Sequence, residues 1–276
     1  MKIFITGSTG FIGTNLAIRY KQEHELWQHI REENVTRCLE LFKPDVIINC
    51  AADIYNADTM WEPNILWVHE CLEYVKHNSN TKMIQIGSSS EYGKLDRPSR
   101  ETDRINPIDM YQATKGAATI LCQGYARHYN LQIAVARPYS VYGPYEKSHR
   151  LFPRLWKAFK LNIPMKLFHG VHDFIYIDDF IRGIDMLVTN SDISPGEIVN
   201  FGSGKQHTNL EVYELFKKIT NNNNPPVEYI EQLNKNFESN IWICDTSYVN
   251  DTYGFENIYS LESGIEKFLS EANYRE

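Results

Sequence analysis

Lys2-Ile3-Phe4-Ile5-Thr6-Gly7-Ser8-Thr9-Gly10-Phe11-Ile12-Gly13 is a short apolar run that breaks into a turn punctuated by glycines. Residues 14–23 follow with Leu16, Ala17 and Tyr20 at helical spacing. The order is strand, turn, helix. Such a turn needs glycine where the backbone bends sharply, approaches a pyrophosphate closely and lets the helix pack on the strand. The amides at the helix N-terminus are then aimed at the phosphates. The spacing is GxxGxxG rather than GxGxxG, so the dinucleotide fingerprint is met in its physical logic and not to the letter. A glycine-rich turn without a nucleotide is the competing reading, and the strand before it and the helix after it argue against that.

Outward from this turn the same alternation repeats. Residues 24–30 hold a brief second strand and Val35 to Phe42 a short helix. Asp45 to Ala52 reads as a buried strand ending in Ala51-Ala52, small residues that leave room for a flat cofactor. Glu32 or Glu33 falls near the spacing expected of an acidic ribose ligand, without a clean strand in front, so NAD and NADP both stay open. Helix is expected over 64–76 and 110–129, and strand over 82–87 and 132–136. Alternating strands and helices predict an α/β fold, a parallel sheet with helices on both faces. Past Gly143-Pro144 the alternation weakens into helices at 151–161 and 180–188, short strands at 174–177 and 199–201, a turn-rich loop at 221–226 and a last helix over 261–269. This half reads as a smaller domain interleaved with the first.

Within that frame, Tyr111-Gln112-Ala113-Thr114-Lys115 opens a long helix, and Ser88-Ser89-Ser90 ends a strand. A phenol and an ammonium four residues apart stand one turn above each other, where the cation can depress the phenol pKa and make it a usable acid or base. Alone, the spacing is common on solvated helix faces. Beside a dinucleotide turn it becomes a candidate hydride-transfer site.

Composition narrows the rest. The 28 Lys plus Arg against 35 Asp plus Glu give a net charge of -7, without the basic excess of a nucleic-acid protein. Cys38, Cys50, Cys71, Cys122 and Cys244 are widely spaced and odd in number, which argues against a disulfide framework or a zinc site and for core residues of a reducing compartment. No metal spacing is formed by His128, His169 and His207. The N-terminus lacks a long apolar signal core and no apolar run approaches membrane-spanning length, so a cytoplasmic protein with no membrane partner is expected.

With the glycine turn, Ala51-Ala52, the serines, the Tyr-Lys pair and Arg137-Pro138-Tyr139-Ser140-Val141-Tyr142-Gly143-Pro144 laid in order, the chain resembles the extended short-chain dehydrogenase/reductase family. Asp173 to Asp179 and the final Asp245-Thr246-Ser247 with Tyr253-Gly254-Phe255 extend the likeness over nearly the whole chain. The resemblance implies a Rossmann-type doubly wound sheet. Residues 1–143 with 171–202 would form the NAD(P)-binding domain, and 144–170 with 203–276 the smaller substrate domain. It also implies that Gly7, Gly10 and Gly13, with the amides of Phe11 and Ile12, hold the pyrophosphate, and that Asn34-Val35 meets the adenine. Ala51, Ala52 and Pro138 would line the same cofactor. Tyr111 would move the proton at a sugar hydroxyl or ketone, Lys115 would hold the nicotinamide ribose, and Ser88 would hydrogen-bond the reacting oxygen. A nucleotide-sugar epimerase or 4-keto reductase follows, using NAD or NADP. The helices over 64–76 and 110–129 fit the paired helices of a homodimer.

Departures from the family pattern separate the reactions. Aligned on Tyr92-Gly93, the dehydratases' Thr-Asp-Glu falls on Ser88-Ser89-Ser90, so both carboxyl groups that expel water are missing. Glu91 stands in for one only if the loop is a residue shorter, which leaves a 4,6-dehydratase as the alternative beside a catalytically silent dinucleotide-binding regulator. Ser90 also replaces the cysteine of GDP-fucose synthases, whose acid histidine lies near His149. His172 stands where the family carries a diphosphate-gripping arginine, and no arginine occurs between 231 and 245. Neutral histidine cannot make arginine's two parallel hydrogen bonds. Arg150, Lys147, Lys166 or Lys205 would have to compensate, and Ser89, Ser90, Ser140, Arg150 and His172 are the expected substrate contacts.

Overall fold

The computed structural model describes residues 1–223, 225–230 and 240–273. Its first elements are β1 (Lys2–Thr6), α1 (Phe11–Tyr20), β2 (Glu25–Gln28), α2 (Val35–Phe42), β3 (Val46–Asn49), α3 (Trp67–His77), β4 (Lys82–Ile86), α4 (Met110–Tyr129) and β5 (Ile133–Pro138). There follow β6 (Ser140–Tyr142), α5 (Leu151–Leu161), β7 (Met165–Phe168), β8 (Val171–Tyr176), α6 (Ile177–Thr189), β9 (Glu197–Phe201) and β10 (Gln206–Thr208). The chain continues with α7 (Asn209–Thr220), β11 (Val227–Ile230), α8 (Ser247–Tyr253) and α9 (Leu261–Asn273).

Contacts divide the chain into two units. The first comprises Met1–Gly93, Glu101–Pro138 and Ile181–Asn200. Its sheet runs in the order β2-β1-β3-β4-β5-β9, and the pairs from β2 to β5 are parallel. Strands β3, β4 and β5 are buried along their whole length, which is the condition of a parallel sheet covered on both faces. Helices α2, α3 and α4 close one face. Cys38, Leu39 and Phe42, then Val68, Cys71, Leu72 and Val75, then Ala118, Cys122 and Ala126 interlock over Phe4, Ile47, Met83 and Ile133. Lys82, at the start of β4, donates to the carbonyls of Leu187 and Val188 at 3.2 and 2.8 Å. A cation there satisfies the last carbonyls of a helix and opposes its dipole. The strand order reverses at β1, with β2 on one side and β3 on the other. In open parallel sheets the crevice at the carboxyl ends of such strands takes the ligand.

The second unit comprises Lys94–Arg100, Tyr139–Phe180 and Phe201–Glu276. A three-stranded sheet in the order β10-β8-β6 and a parallel β11-β7 pair give it a separate framework. Its core is aromatic: Tyr142 stacks on Phe152 at 4.0 Å between ring centroids, and Phe174 meets Phe152 edge-on at 5.2 Å. Buried Asp173 accepts from the backbone N–H groups of Ser203, Gly204 and Cys244 at 2.6–3.0 Å, so one carboxylate joins three segments.

Several boundaries differ from the sequence reading. Residues 139–143 and 171–180 fall in the second unit rather than the first, because β6 and β8 pair with each other and not with the six-stranded sheet. The helix expected over 64–76 begins as a π turn, Glu62–Leu66, with Pro63 in its first turn. The strand expected over 174–177 is β8, and Ile177 already opens α6. Asp178 and Asp179 thus sit in a first helical turn, where negative charge faces the positive end of the helix. Of the arginine-free stretch, residues 231–239 lie outside the described residues, as does Asn224 in the loop before β11.

Candidate active site

The glycine turn is a cradle that side chains would fill. Gly7 has φ +62°, and a Cβ there would lie 2.7 Å from the backbone N and Cα of Ala51. One on Gly13 would lie 2.2 Å from the Gly7 carbonyl oxygen. The turn after β1 and the end of β3 therefore touch backbone to backbone, which only glycine permits. Gly10 is the N-cap of α1 and offers no side-chain acceptor, and the first turn holds no acidic residue. The N–H groups of Phe11 and Ile12 open a ten-residue helix, an arrangement suited to phosphate oxygens. These residues fit the diphosphate of a dinucleotide.

Other cofactor expectations resolve unevenly. Ala51 is buried beside Gly7, whereas Ala52 is exposed. The side-chain oxygen of Asn34 accepts from the Arg37 N–H at 2.8 Å and caps α2. Val35 packs its side chain into the core, so its backbone is what a ligand could reach. Glu33 is engaged by the Ile30 N–H at 3.2 Å and by the Trp27 indole at 3.4 Å. Pro138 ends β5.

The Tyr-Lys pair is set by the start of α4. Asp109 caps it, accepting from the Gln112 N–H at 2.7 Å, so Tyr111 stands in the first turn, half-buried, and Lys115 in the second, 3% exposed. The Lys115 ammonium donates to the Ile86 carbonyl at the end of β4. Burial pushes its pKa down, and the Glu91 carboxylate opposes that shift. Asn64 fastens the loop after β3 to the same helix, donating to the Asp53 carbonyl at 3.0 Å and to the Thr114 hydroxyl at 2.9 Å.

Under Lys115 lies a polar rung that the sequence reading missed. Thr6, Asn49 and Gln85 are in register across β1, β3 and β4 and almost wholly buried. The Thr6 hydroxyl donates to Asn49, Asn49 donates to Gln85 Oε1 at 2.7 Å, and Gln85 donates to the Ile86 carbonyl at 3.0 Å. That carbonyl also receives Lys115. Each group would cost roughly 1–3 kcal/mol if buried without its partner, so the rung fixes strand register beneath the site. Its signal was a polar residue inside each of three apolar runs.

Ser88 caps a 3₁₀ turn, Ser89–Tyr92. Its hydroxyl accepts from the Ser90 N–H at 3.2 Å and lies 2.7 Å from the Ser90 hydroxyl. Ser89 is buried. Glu91 is buried too, and its carboxylate takes the Ser88 N–H, the Thr119 hydroxyl and Arg137. Those contacts occupy both oxygens that a water-expelling acid would need.

In the second unit, Ser140 and His172 come within 3.2 Å of each other through Oγ and Nδ1. Burial, then the Arg150 charge, lowers the His172 pKa to about 4, so the ring is neutral through the physiological range. Arg150 is half-exposed and pairs with Glu146 at 3.4 Å. Burial pushes the Glu146 carboxyl up to about 7 against that attraction.

A parallel sheet with a glycine cradle at its switch point and a Tyr-Lys pair on the helix beside β4 defines a dinucleotide-dependent oxidoreductase of the α/β class. The chain belongs to the NAD dependent epimerase/dehydratase family, which it matches over residues 3–202. It is 26% identical to the protein CapI of Staphylococcus aureus, over 98% of this chain and 97% of that one. The dTDP-glucose 4,6-dehydratase of Bacillus anthracis str. Ames, solved with NAD, superposes with a TM-score of 0.89 at 20% identity, covering 100% and 97% of the two chains. The UDP-glucuronic acid 4-epimerase of Bacillus cereus, solved with UDP-glucuronic acid and NAD, gives 0.88 at 23% identity over 99% of each. At these identities the two structures share the fold. Among the described residues, no helix is long and apolar enough to cross a membrane.

Proposed function

We propose that this chain is a cytoplasmic NAD(P)-dependent epimerase or 4-keto reductase acting at a hydroxyl or ketone, at C4 of a nucleotide-linked hexose. The observation that carries it is the Ser88–Tyr111–Lys115 set held at the end of β4 and the start of α4, with serines at 89 and 90 and the Glu91 carboxylate engaged elsewhere. When bound, the nicotinamide accepts or supplies hydride. Tyr111 takes the hydroxyl proton, or gives it to the ketone oxygen, as a general base or acid. Ser88 hydrogen-bonds that oxygen where negative charge develops. Lys115, buried and fixed by the Ile86 carbonyl, orients the ribose and lowers the cost of the Tyr111 phenolate. Gly7, Gly10, Gly13 and the amides of Phe11 and Ile12 would bind the diphosphate, and the first unit would be the cofactor domain. The second unit would hold the substrate through Ser140, His172 and Arg150. A neutral His172 implies that the sugar-nucleotide diphosphate is gripped by fewer charges than in the family pattern.

A thermal-shift panel of UDP-, GDP-, CDP- and dTDP-sugars with NAD and NADP tests the substrate class, because a ligand that binds the native state raises the midpoint with its occupancy. One nucleotide is expected to stand out. A flat response to all four would remove the nucleotide from the proposal. Cofactor that stays bound through turnover identifies the epimerase, and stoichiometric consumption of added reduced cofactor the reductase. The same reading makes the protein a homodimer, with Trp61, Leu66 and Ile120, exposed in the single chain, covered on association. Light scattering at micromolar concentration should return twice the chain mass of 32.2 kDa, and a monomer would end that part of the proposal.

A further inference from the structure

Glu91 holds four buried polar contacts near the reactive residues. Oε1 accepts from the Ser88 N–H at 2.8 Å. Oε2 accepts from the Thr119 hydroxyl at 2.7 Å and from Arg137 Nε at 2.9 Å, and Arg137 Nη2 lies 2.7 Å away. Glu91, Thr119 and Arg137 are all fully buried. Tyr111, Lys115 and Thr119 recur every four residues and so share one face of α4. The carboxylate thus joins the turn after β4, the face of α4 that carries Tyr111 and Lys115, and the end of β5. Arg137 is held in turn from below, its guanidinium 4.5 Å over the Tyr92 ring, whose hydroxyl donates to Asn200 at 2.8 Å. Space for the carboxylate comes from Gly87, where a Cβ would lie 2.8 Å from Glu91 Oε1.

We propose that Glu91 is a positioning residue that clamps Ser88 onto the helix bearing Tyr111 and Lys115 and supplies a buried negative charge beside that face of the helix. The inference rests on the oxidoreductase reading above and assigns Glu91 a part other than a dehydratase acid. Two consequences follow from the geometry. Losing the contact to the Ser88 N–H loosens the backbone that carries the hydroxyl meant to meet the reacting oxygen. Losing the charge removes the carboxylate that opposes the effect of burial on Lys115 and leaves it with the thiols of Cys50, just after β3, and Cys122, on its own helix. The ammonium then becomes harder to keep, and it is lost at lower pH than in the parent protein.

Glu91→Gln keeps the shape and removes the charge, and Thr119→Val cuts the tie to α4 with the charge retained. Both are compared with the parent in NAD affinity by calorimetry across the alkaline range and in steady-state turnover. Glu91→Gln is expected to lower kcat on the order of 10²-fold, the scale of a misplaced reacting group, and to shift the alkaline limbs of both kcat and NAD affinity to lower pH. Thr119→Val is expected to lower kcat about tenfold, the scale of one hydrogen bond to a charged group, with neither limb moved. Should Glu91→Gln not fold, Thr119→Val still reports the clamp. If Glu91→Gln leaves both limbs in place, or Thr119→Val turns over like the parent, the clamp is overturned. A Glu91→Gln protein that has lost only water elimination from the sugar makes Glu91 the dehydratase acid and overturns it as well. The NAD measurement reads the Lys115 environment without a sugar, so failure of the substrate reading is distinguishable from failure of this one.

Discussion

Tyr111→Phe is expected to lower turnover of a confirmed sugar substrate by about 10²–10⁴-fold, the usual worth of a positioned general acid or base. Phenylalanine keeps the ring and so most of its packing, and Asp109 still caps the helix. The phenol oxygen is what is lost. Cofactor affinity should hold within about threefold, because Lys115 keeps its place under the Ile86 carbonyl. Measured together, kcat falls while the NAD dissociation constant stays. A variant that turns over at the parent rate removes Tyr111 from the chemistry, and one that loses NAD binding in proportion to turnover makes it a binding residue.

The largest stability change is expected from Arg137→Met, about 3–5 kcal/mol by chemical denaturation, because it leaves the Glu91 carboxylate buried without its closest cation. Lys115 is the remaining nearby cation, and it is itself destabilised by burial. Methionine fills part of the volume over the Tyr92 ring but cannot donate to Glu91. Removing both charges should behave differently: Glu91→Leu with Arg137→Met should recover most of the loss, since a buried ion pair replaced by apolar groups of similar volume is often close to neutral. The cycle also separates stability from function, because the double variant regains its melting midpoint without regaining turnover. An Arg137→Met protein within about 0.5 kcal/mol of the parent would show that the pair carries little of the fold.

Much of the first unit was legible in the residues. β1, α2 and α4 lie where hydrophobic periodicity placed them, because a period of two or 3.6 is written locally and the parallel sheet buries its inner strands β3, β4 and β5 completely. The glycine turn was legible for the same reason: its geometry is set by positions without a Cβ. Less was legible past residue 138. β6 is only three residues long, and its sheet depends on β8 and β10, partners farther along the chain, so no local pattern announced where the second unit begins.

Glu91 marks the division most sharply. As a letter beside three serines it entered only as the alternative, a stand-in catalytic acid if the loop is a residue shorter, because spacing records neighbours along the chain and not the donors that folding brings from residues 119 and 137. The sequence alone determined the α/β class, the glycine turn, the Tyr111–Lys115 pair and the absence of carboxylates at 89 and 90. Only the tertiary structure decided what surrounds them: the Thr6–Asn49–Gln85 rung, the buried Lys115 and the occupied Glu91. The physical reason is that a hydrogen bond between strands and a charge paired inside the core belong to the folded state, where distant residues meet and water is excluded.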